Sequence, residues 1–166
     1  MVAPLRIKSV EPSKAALTLN VVWADGTKSC VDLTGLVHSS RHFKVFADDP
    51  AAFRRVKLVS YGTGIGWENG LDYSASTLKT LADEQRTLDG GDLATFETRF
   101  GLNTAETAAL LDIAERTVRA YRAADALPET VAMALRSFQA DPTIFAAHYR
   151  PVARRERGRP RKAKAA

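Results

Sequence analysis

The chain has 166 residues, 45% hydrophobic, 26% charged and 8% aromatic. That composition excludes a disordered chain and leaves room for one medium domain or two small ones. No apolar run approaches the ~18 residues of a membrane helix, and Cys30, the single cysteine, excludes both an internal disulfide and a cysteine-rich zinc site.

The N-terminal MVAPLRIKSVEPSK lacks the apolar core of a signal peptide. With one cysteine, a reducing, cytoplasmic setting is expected. The net charge of +5 is unevenly spread. Residues 150–166 hold eight Lys/Arg and one acid, whereas residues 1–149 sum to −2. Such asymmetry points to a polyanionic partner.

Residues 1–80 read as a small α+β domain. Leu17, Leu19, Val21 and Trp23 alternate with Thr18, Asn20 and Val22, the period-2 pattern of a half-buried strand. Asp25-Gly26 follows, a hairpin turn signal, because both positions tolerate positive φ. Lys28–Leu33 is the returning strand, with Cys30 expected to face inward. Val56–Tyr61 and Ile65–Glu68 are predicted as a third and a fourth strand, with a tight turn at Asn69-Gly70. Asp49-Pro50 opens a short helix carrying Phe53, and Phe43, Val45 and Phe46 are expected in the core. Residues 74–86 read as a helix with Leu78 and Leu81 on one side. Residues 81–91 read as helix end and linker, because Asp89-Gly90-Gly91 breaks the pattern.

Residues 92–149 are predicted all-helical. Asp92 is expected to cap a helix carrying Leu93, Phe96 and Phe100. Asn103 and Glu106 have the spacing of a capping box for a second, and a third runs over Glu115–Ala124. Pro128 stands at the first position of a fourth, with Val131, Leu135 and Phe138. Asp141-Pro142 opens a fifth, with Ile144, Phe145 and Tyr149 inward. Residues 150–166 hold almost no large apolar side chain and are expected to form a disordered basic tail.

The segment Thr104–Ala123 has the spacing of a helix-turn-helix. Ala108 falls at the close contact. Leu111, Ile113, Val118 and Tyr121 fall at the apolar positions, and Asp112 falls at the turn, where a left-handed backbone is needed. At about 100° per residue, Val118 and Tyr121 define the buried side of the third helix. Arg116, Arg119, Ala120 and Ala123 lie opposite. Small residues let a helix approach the groove floor, and Arg makes paired bonds to guanine. Thr104 and the first-turn N–H groups of the second helix suit a phosphate, as does Arg122 on the flank. Against this, Ala114 stands where Ser or Thr commonly caps, Thr107 occupies a usually apolar slot, and residues 81–149 sum to −5.

Residues 92–140 resemble the phage-repressor-like helix-turn-helix domains. The resemblance implies a four- or five-helix domain working as a homodimer on paired half-sites, with Arg116, Thr117, Arg119 and Ala120 toward double-stranded DNA. Arg157-Gly158-Arg159-Pro160 resembles the AT-hook, which implies a minor-groove contact by Arg157, Gly158, Arg159, Arg161 and Lys162. The physics agrees: glycine lets the backbone settle deep, and a narrow groove concentrates negative potential.

Residues 5–78 resemble the bacterial domain-of-unknown-function family 2442. Ile7-x-x-Val10, Trp23-Ala24-Asp25-Gly26, Val31-Asp32-Leu33, Phe53 before Val56, Trp67-Glu68-Asn69-Gly70-Leu71-Asp72 and Thr77-Leu78 carry that likeness. It implies a compact α+β fold without established chemistry, and a toxin-like protein partner.

No catalytic set emerges. Gly62-Thr63-Gly64-Ile65-Gly66 joins two strands with no helix after it to receive a phosphate. His38 and His42 lack a third ligand. Asp32, Glu68 and Asp72 suit turn hydrogen bonds, and Trp67 suits the core. Neither an enzyme, a cofactor nor a metal is expected. The expectation is an α+β, two-domain bacterial DNA-binding protein, a transcriptional regulator or antitoxin-like protein reading the major groove with helix 115–124. The alternative is a protein-interaction adaptor whose helical domain no longer reads DNA.

Overall fold

The computed structural model describes residues 5–152. Its fold is α+β, with small antiparallel sheets and many short helices. The chain divides into two compact units, Met1–Arg86 and Thr87–Ala166.

In the first unit β1 (Ile7–Pro12), β2 (Thr18–Trp23) and β3 (Lys28–Asp32) form an antiparallel meander. The predicted turn joins β2 to β3. Gly26 takes φ +87°, and Asp25 Oδ1 accepts the Thr27 N–H at 2.9 Å. The register places Cys30 opposite Asn20, and both are exposed. This corrects the inward placing of Cys30. Val31, not Cys30, shares the buried face with Leu19, its partner. At the far edge of β3 the Gln85 amide imitates a strand: the Asp32 N–H donates to Gln85 Oε1 (2.9 Å), and Gln85 Nε2 donates to Asp32 O (2.6 Å). A sheet edge is blunted at that point.

Next come α1 (Thr34–Ser39), α2 (Val45–Asp48) and α3 (Pro50–Phe53). Asp49 caps α3 by accepting the Ala52 N–H, and Pro50 follows at its first position. Phe43 and Phe46 are buried, but Val45 is 42% exposed because it lies on the outer side of a one-turn helix.

The second sheet holds β4 (Lys57–Val59), β5 (Gly64–Gly66) and β6 (Asp72–Ser74). The predicted third strand stops at Val59 because Ser60, Tyr61 and Gly62 have φ of 47°, 59° and 84°. A 3-10 turn, Ser60–Gly62, follows instead. A Cβ on Gly62 would stand 2.3 Å from Ile7 O, so glycine lets this turn close on β1. The predicted fourth strand begins one residue earlier and ends at Gly66. β1 and β6 have no counterpart among the predicted strands. Ser74 caps α4 (Ala75–Gln85), which lays Leu78 and Ala82 on the core.

The second unit is helical: α5 (Gly90–Phe100), α6 (Thr104–Leu111), α7 (Glu115–Tyr121), α8 (Glu129–Ala140) and α9 (Pro142–His148). Asp89-Gly90-Gly91 is a helix start rather than a break. Asp89 is the cap, and Asp92 returns a bond to the Asp89 N–H (2.9 Å) as the far member of a capping box. Gly90 is buried where α5 meets the end of α7: its N–H donates to Ala124 O at 2.9 Å. A Cβ there would lie 2.2 Å from Arg122 O.

The core packs Leu93, Phe96, Ala108, Val118, Leu127, Ala132 and Leu135. α7 ends at Tyr121 rather than 124, and Pro128 is the residue just before α8 rather than its first. Ile144 is 37% exposed. Phe145, on the other face of the short α9, packs instead against the core. No helix among the described residues is long and apolar enough to cross a membrane.

Candidate nucleic-acid interface

The candidate surface is built on α6, its turn and α7. Asn103 Oδ1 accepts the Glu106 N–H (3.0 Å), and Glu106 Oε2 accepts the Asn103 N–H (2.9 Å), so α6 starts where the sequence predicts. It ends at Asp112, which takes φ 52° and ψ 46°. This left-handed residue lets the Ile113 N–H reach back to Ala108 O at 2.9 Å. Ala114 is extended and starts α7 without a side-chain cap bond.

The rotation of α7 follows from its apolar residues. Val118 is fully buried, and Thr117 and Tyr121 are half-buried. Arg116, Arg119, Ala120 and Ala123 are exposed on the opposite side. Arg119 Nη2 lies 2.6 Å from Glu115 Oε2, one turn back on the same face. The Arg116 guanidinium has no hydrogen-bond or ion-pair partner among the described residues. Thr104 is half-buried at the first turn of α6.

Arg122 is placed elsewhere. Its Nε–H donates to Glu97 Oε2 (2.8 Å) and Nη2 donates to Glu97 Oε1 (2.7 Å). This paired geometry already uses the flat side of the guanidinium that a phosphate would take. The hydrogen bonds that it donates to the Glu97 carboxylate hold its pKa above the ordinary arginine value. The predicted phosphate contact is therefore an internal strut between α5 and the end of α7.

The Thr107 hydroxyl completes this joint by donating to Glu97 Oε1 at 2.8 Å, and Thr107 is fully buried. The sequence shows the hydroxyl in an apolar slot but not its partner ten residues back. A second buried carboxylate, Glu106, accepts the Tyr149 hydroxyl at 2.9 Å. That bond to a carboxylate holds the Tyr149 pKa above the usual phenol value.

Arg157, Gly158, Arg159, Arg161 and Lys162 lie outside the described residues. In the first unit, α1 ends at Ser39, so His38 and His42 do not share a helix. Arg41 Nε donates to His42 Nε2 at 3.2 Å. Asp32 Oδ1 accepts the Thr34 N–H, and Glu68 faces Arg55 and Lys57 at 3.6 and 3.7 Å. Trp67 is buried and donates to Phe53 O at 2.8 Å. Among the described residues no group of three or more His, Cys, Asp or Glu side chains could hold a metal ion.

No family model matches the chain, and no curated protein does. Among solved structures it is similar to the "Putative DNA Binding Protein NE0471" of Nitrosomonas europaea, with 24% identity over 82% of this chain and 87% of that one. The TM-score is 0.45, a level at which neither a shared fold nor a shared function follows.

Proposed function

We propose that the chain is a DNA-binding protein of the transcriptional-regulator kind, and that α6 and α7 are a repressor-like helix-turn-helix with α7 in the major groove. One observation carries this reading. The left-handed Asp112 and the buried Val118 together turn Arg116, Arg119, Ala120 and Ala123 to solvent as one face. Two guanidinium groups flanked by the small Ala120 and Ala123, with the Glu115 carboxylate against Arg119, suit guanine O6 and N7 at close approach. The Glu115 carboxylate holds Arg119 along the helix, which preorganises that side chain. The tail supplies the sequence-independent attraction that a helical unit of net negative charge lacks. On this reading the first unit is the module that binds a partner, of which an antitoxin-like protein would have a toxin-like one.

The test is duplex binding across a salt series. Arg116→Ala with Arg119→Ala should abolish sequence preference and leave weak, salt-sensitive binding. Truncation after Val152 should weaken binding to all sequences. It should also flatten the salt slope by about one for each phosphate that the tail neutralises. If both variants bind as the parent does, the assignment of roles fails.

A second reading has its own observation. Leu110, Leu111, Ile113, Tyr121, Val131 and Ala134, with Asp112 and Thr130, line a mixed groove of about 280 Å³ beside the turn. A protein-interaction adaptor would use that groove. Leu110→Asp would then abolish partner capture while leaving DNA binding unchanged.

A further inference from the structure

β3 is an edge strand, since the sheet runs in the order β1-β2-β3. Its ladder with β2 decides which of its backbone groups face outward. The Trp23 N–H donates to Thr27 O at 2.9 Å, and the Leu33 N–H donates to Leu17 O at 2.8 Å. Bonded pairs recur at every second residue of an antiparallel ladder. Ser29 and Val31, opposite Val21 and Leu19, therefore turn their N–H and C=O to β2. Lys28, Cys30 and Asp32 turn theirs away from it. At Asp32 the Gln85 carboxamide takes both groups. At Lys28 and Cys30 no described residue takes them. Two N–H and two C=O groups thus stand open in a row, beside a third pair that a planar amide already fills. Lys28 and Cys30 are both exposed, and a mixed groove of about 240 Å³ is lined by Asn20, Val21, Val22, Lys28, Ser29 and Cys30.

We infer that this edge accepts an extended segment of a partner protein as a fourth, antiparallel strand. The inference rests on the reading of the first unit as a partner-binding module and names the chemistry of the partner. Gln85 shows what the edge binds: an amide that donates and accepts at once, as a residue of an added strand does. The direction follows from the sheet, in which both pairings are antiparallel. Two residues of the segment, two apart, then stand opposite Cys30 and Lys28 on the face that carries Asn20 and Val22. Lys28 makes no ion pair among the described residues, so an acid suits the place opposite it. Cys30 is a small, weakly polar side chain and suits an apolar neighbour. In an antiparallel strand the residue opposite Cys30 comes first. From its N-terminal side the segment therefore reads apolar, any residue, acid. Gln85 ends the open stretch and keeps the segment from running on past Cys30. A lysine on an edge also discourages strand pairing, which is the opposing outcome of the test.

The experiment is selection by the full chain from a library of random dodecapeptides, followed by amide hydrogen exchange with the strongest peptide bound. The selected peptides should share the apolar-any-acid pattern. With peptide at about 100 times its Kd, exchange at the Lys28 and Cys30 N–H groups should slow by about 100-fold. The Asp32 N–H, held by Gln85, should be unchanged. Lys28→Glu, an exposed substitution, should weaken binding of that peptide by about fivefold and turn the selected acid into a base. Gln85→Ala frees the pair at Asp32 and should lengthen the selected pattern by one alternation on its N-terminal side. Peptides that slow exchange elsewhere in the first unit overturn the inference and leave the module reading standing. A library that yields no binder to the first unit overturns both, and the edge is then guarded only.

Discussion

The two units bury different chemistry. In the first, the centre is aromatic: Phe46 lies 5.6 Å from Phe53 and 4.8 Å from Trp67, ring to ring. Its two indole N–H groups each make one bond, Trp23 to Ser29 Oγ and Trp67 to Phe53 O, both at 2.8 Å. In the second, two carboxylates and a hydroxyl are buried and tie one helix to another: Glu97, Glu106 and Thr107. Apolar burial is non-directional, so it stabilises a fold without fixing the angle between elements tightly. A paired guanidinium–carboxylate bond fixes both distance and orientation. The helical unit thus uses polar joints at the places where the pose of α7 is decided.

That contrast can be broken from either side. Both tryptophans lie in the first unit, so tryptophan fluorescence follows its unfolding alone, whereas the far-ultraviolet signal is dominated by the longer run of helices in the second. The largest effect is expected for Trp67→Ala, which removes a buried ring and its bond to Phe53 O. It should destabilise the first unit by about 3–5 kcal/mol in urea and leave the helical transition in place. Gly90→Ala comes next. The new methyl meets the backbone carbonyl of Arg122, which no rotamer can relieve, and a cost of about 3 kcal/mol should appear in the helical transition alone.

Glu97→Ala leaves Arg122 without its acceptor, while the Thr107 hydroxyl keeps Asn103 O at 3.0 Å. Arg122 is one-third exposed and can rehydrate, so the expected loss is about 2 kcal/mol, below the 3–5 of a fully buried pair. The sharper signature of this variant is functional: sequence preference should weaken more than total affinity, because α7 loses its strut. An unchanged preference would show that the polar joint does not set the pose of α7.

The smallest effect concerns pH. The raised Tyr149 pKa means that folding favours the neutral phenol. Its contribution is fully present below the ordinary tyrosine value of about 10 and is lost as pH rises through the higher folded value. A helical transition that weakens above that range in the parent should weaken less in Tyr149→Phe. Tyr73 is raised by burial in the first unit and gives the same sign there, so the two units serve as mutual controls.

Much of the helical unit was legible because its signals are local. The Asn103–Glu106 capping box spans one turn, the left-handed Asp112 is a single dihedral pair, and the α7 face follows from helical rotation about Val118. The β2–β3 hairpin was legible for the same reason: Asp25-Gly26 and a period-2 run act within a few residues. The short strands β1 and β6 were not, since their partners rather than their composition make them strands. The same failure misplaced Cys30, where a shift of one residue in register moves a side chain to the other face.

By itself, the sequence determined the starts of α6, α7 and α9, the left-handed turn, the face that α7 presents and the basic charge gathered after residue 149. Rotation, capping and composition are properties of neighbours along the chain. Tertiary structure alone decided that Arg122 belongs to Glu97 rather than to a phosphate, that Gly90 is needed where α5 meets the end of α7, and that Tyr149 pins the tail root to Glu106. Those partners lie 25 to 43 residues apart. No periodicity names a partner at that distance; only the packing of the helices brings the groups within hydrogen-bond reach.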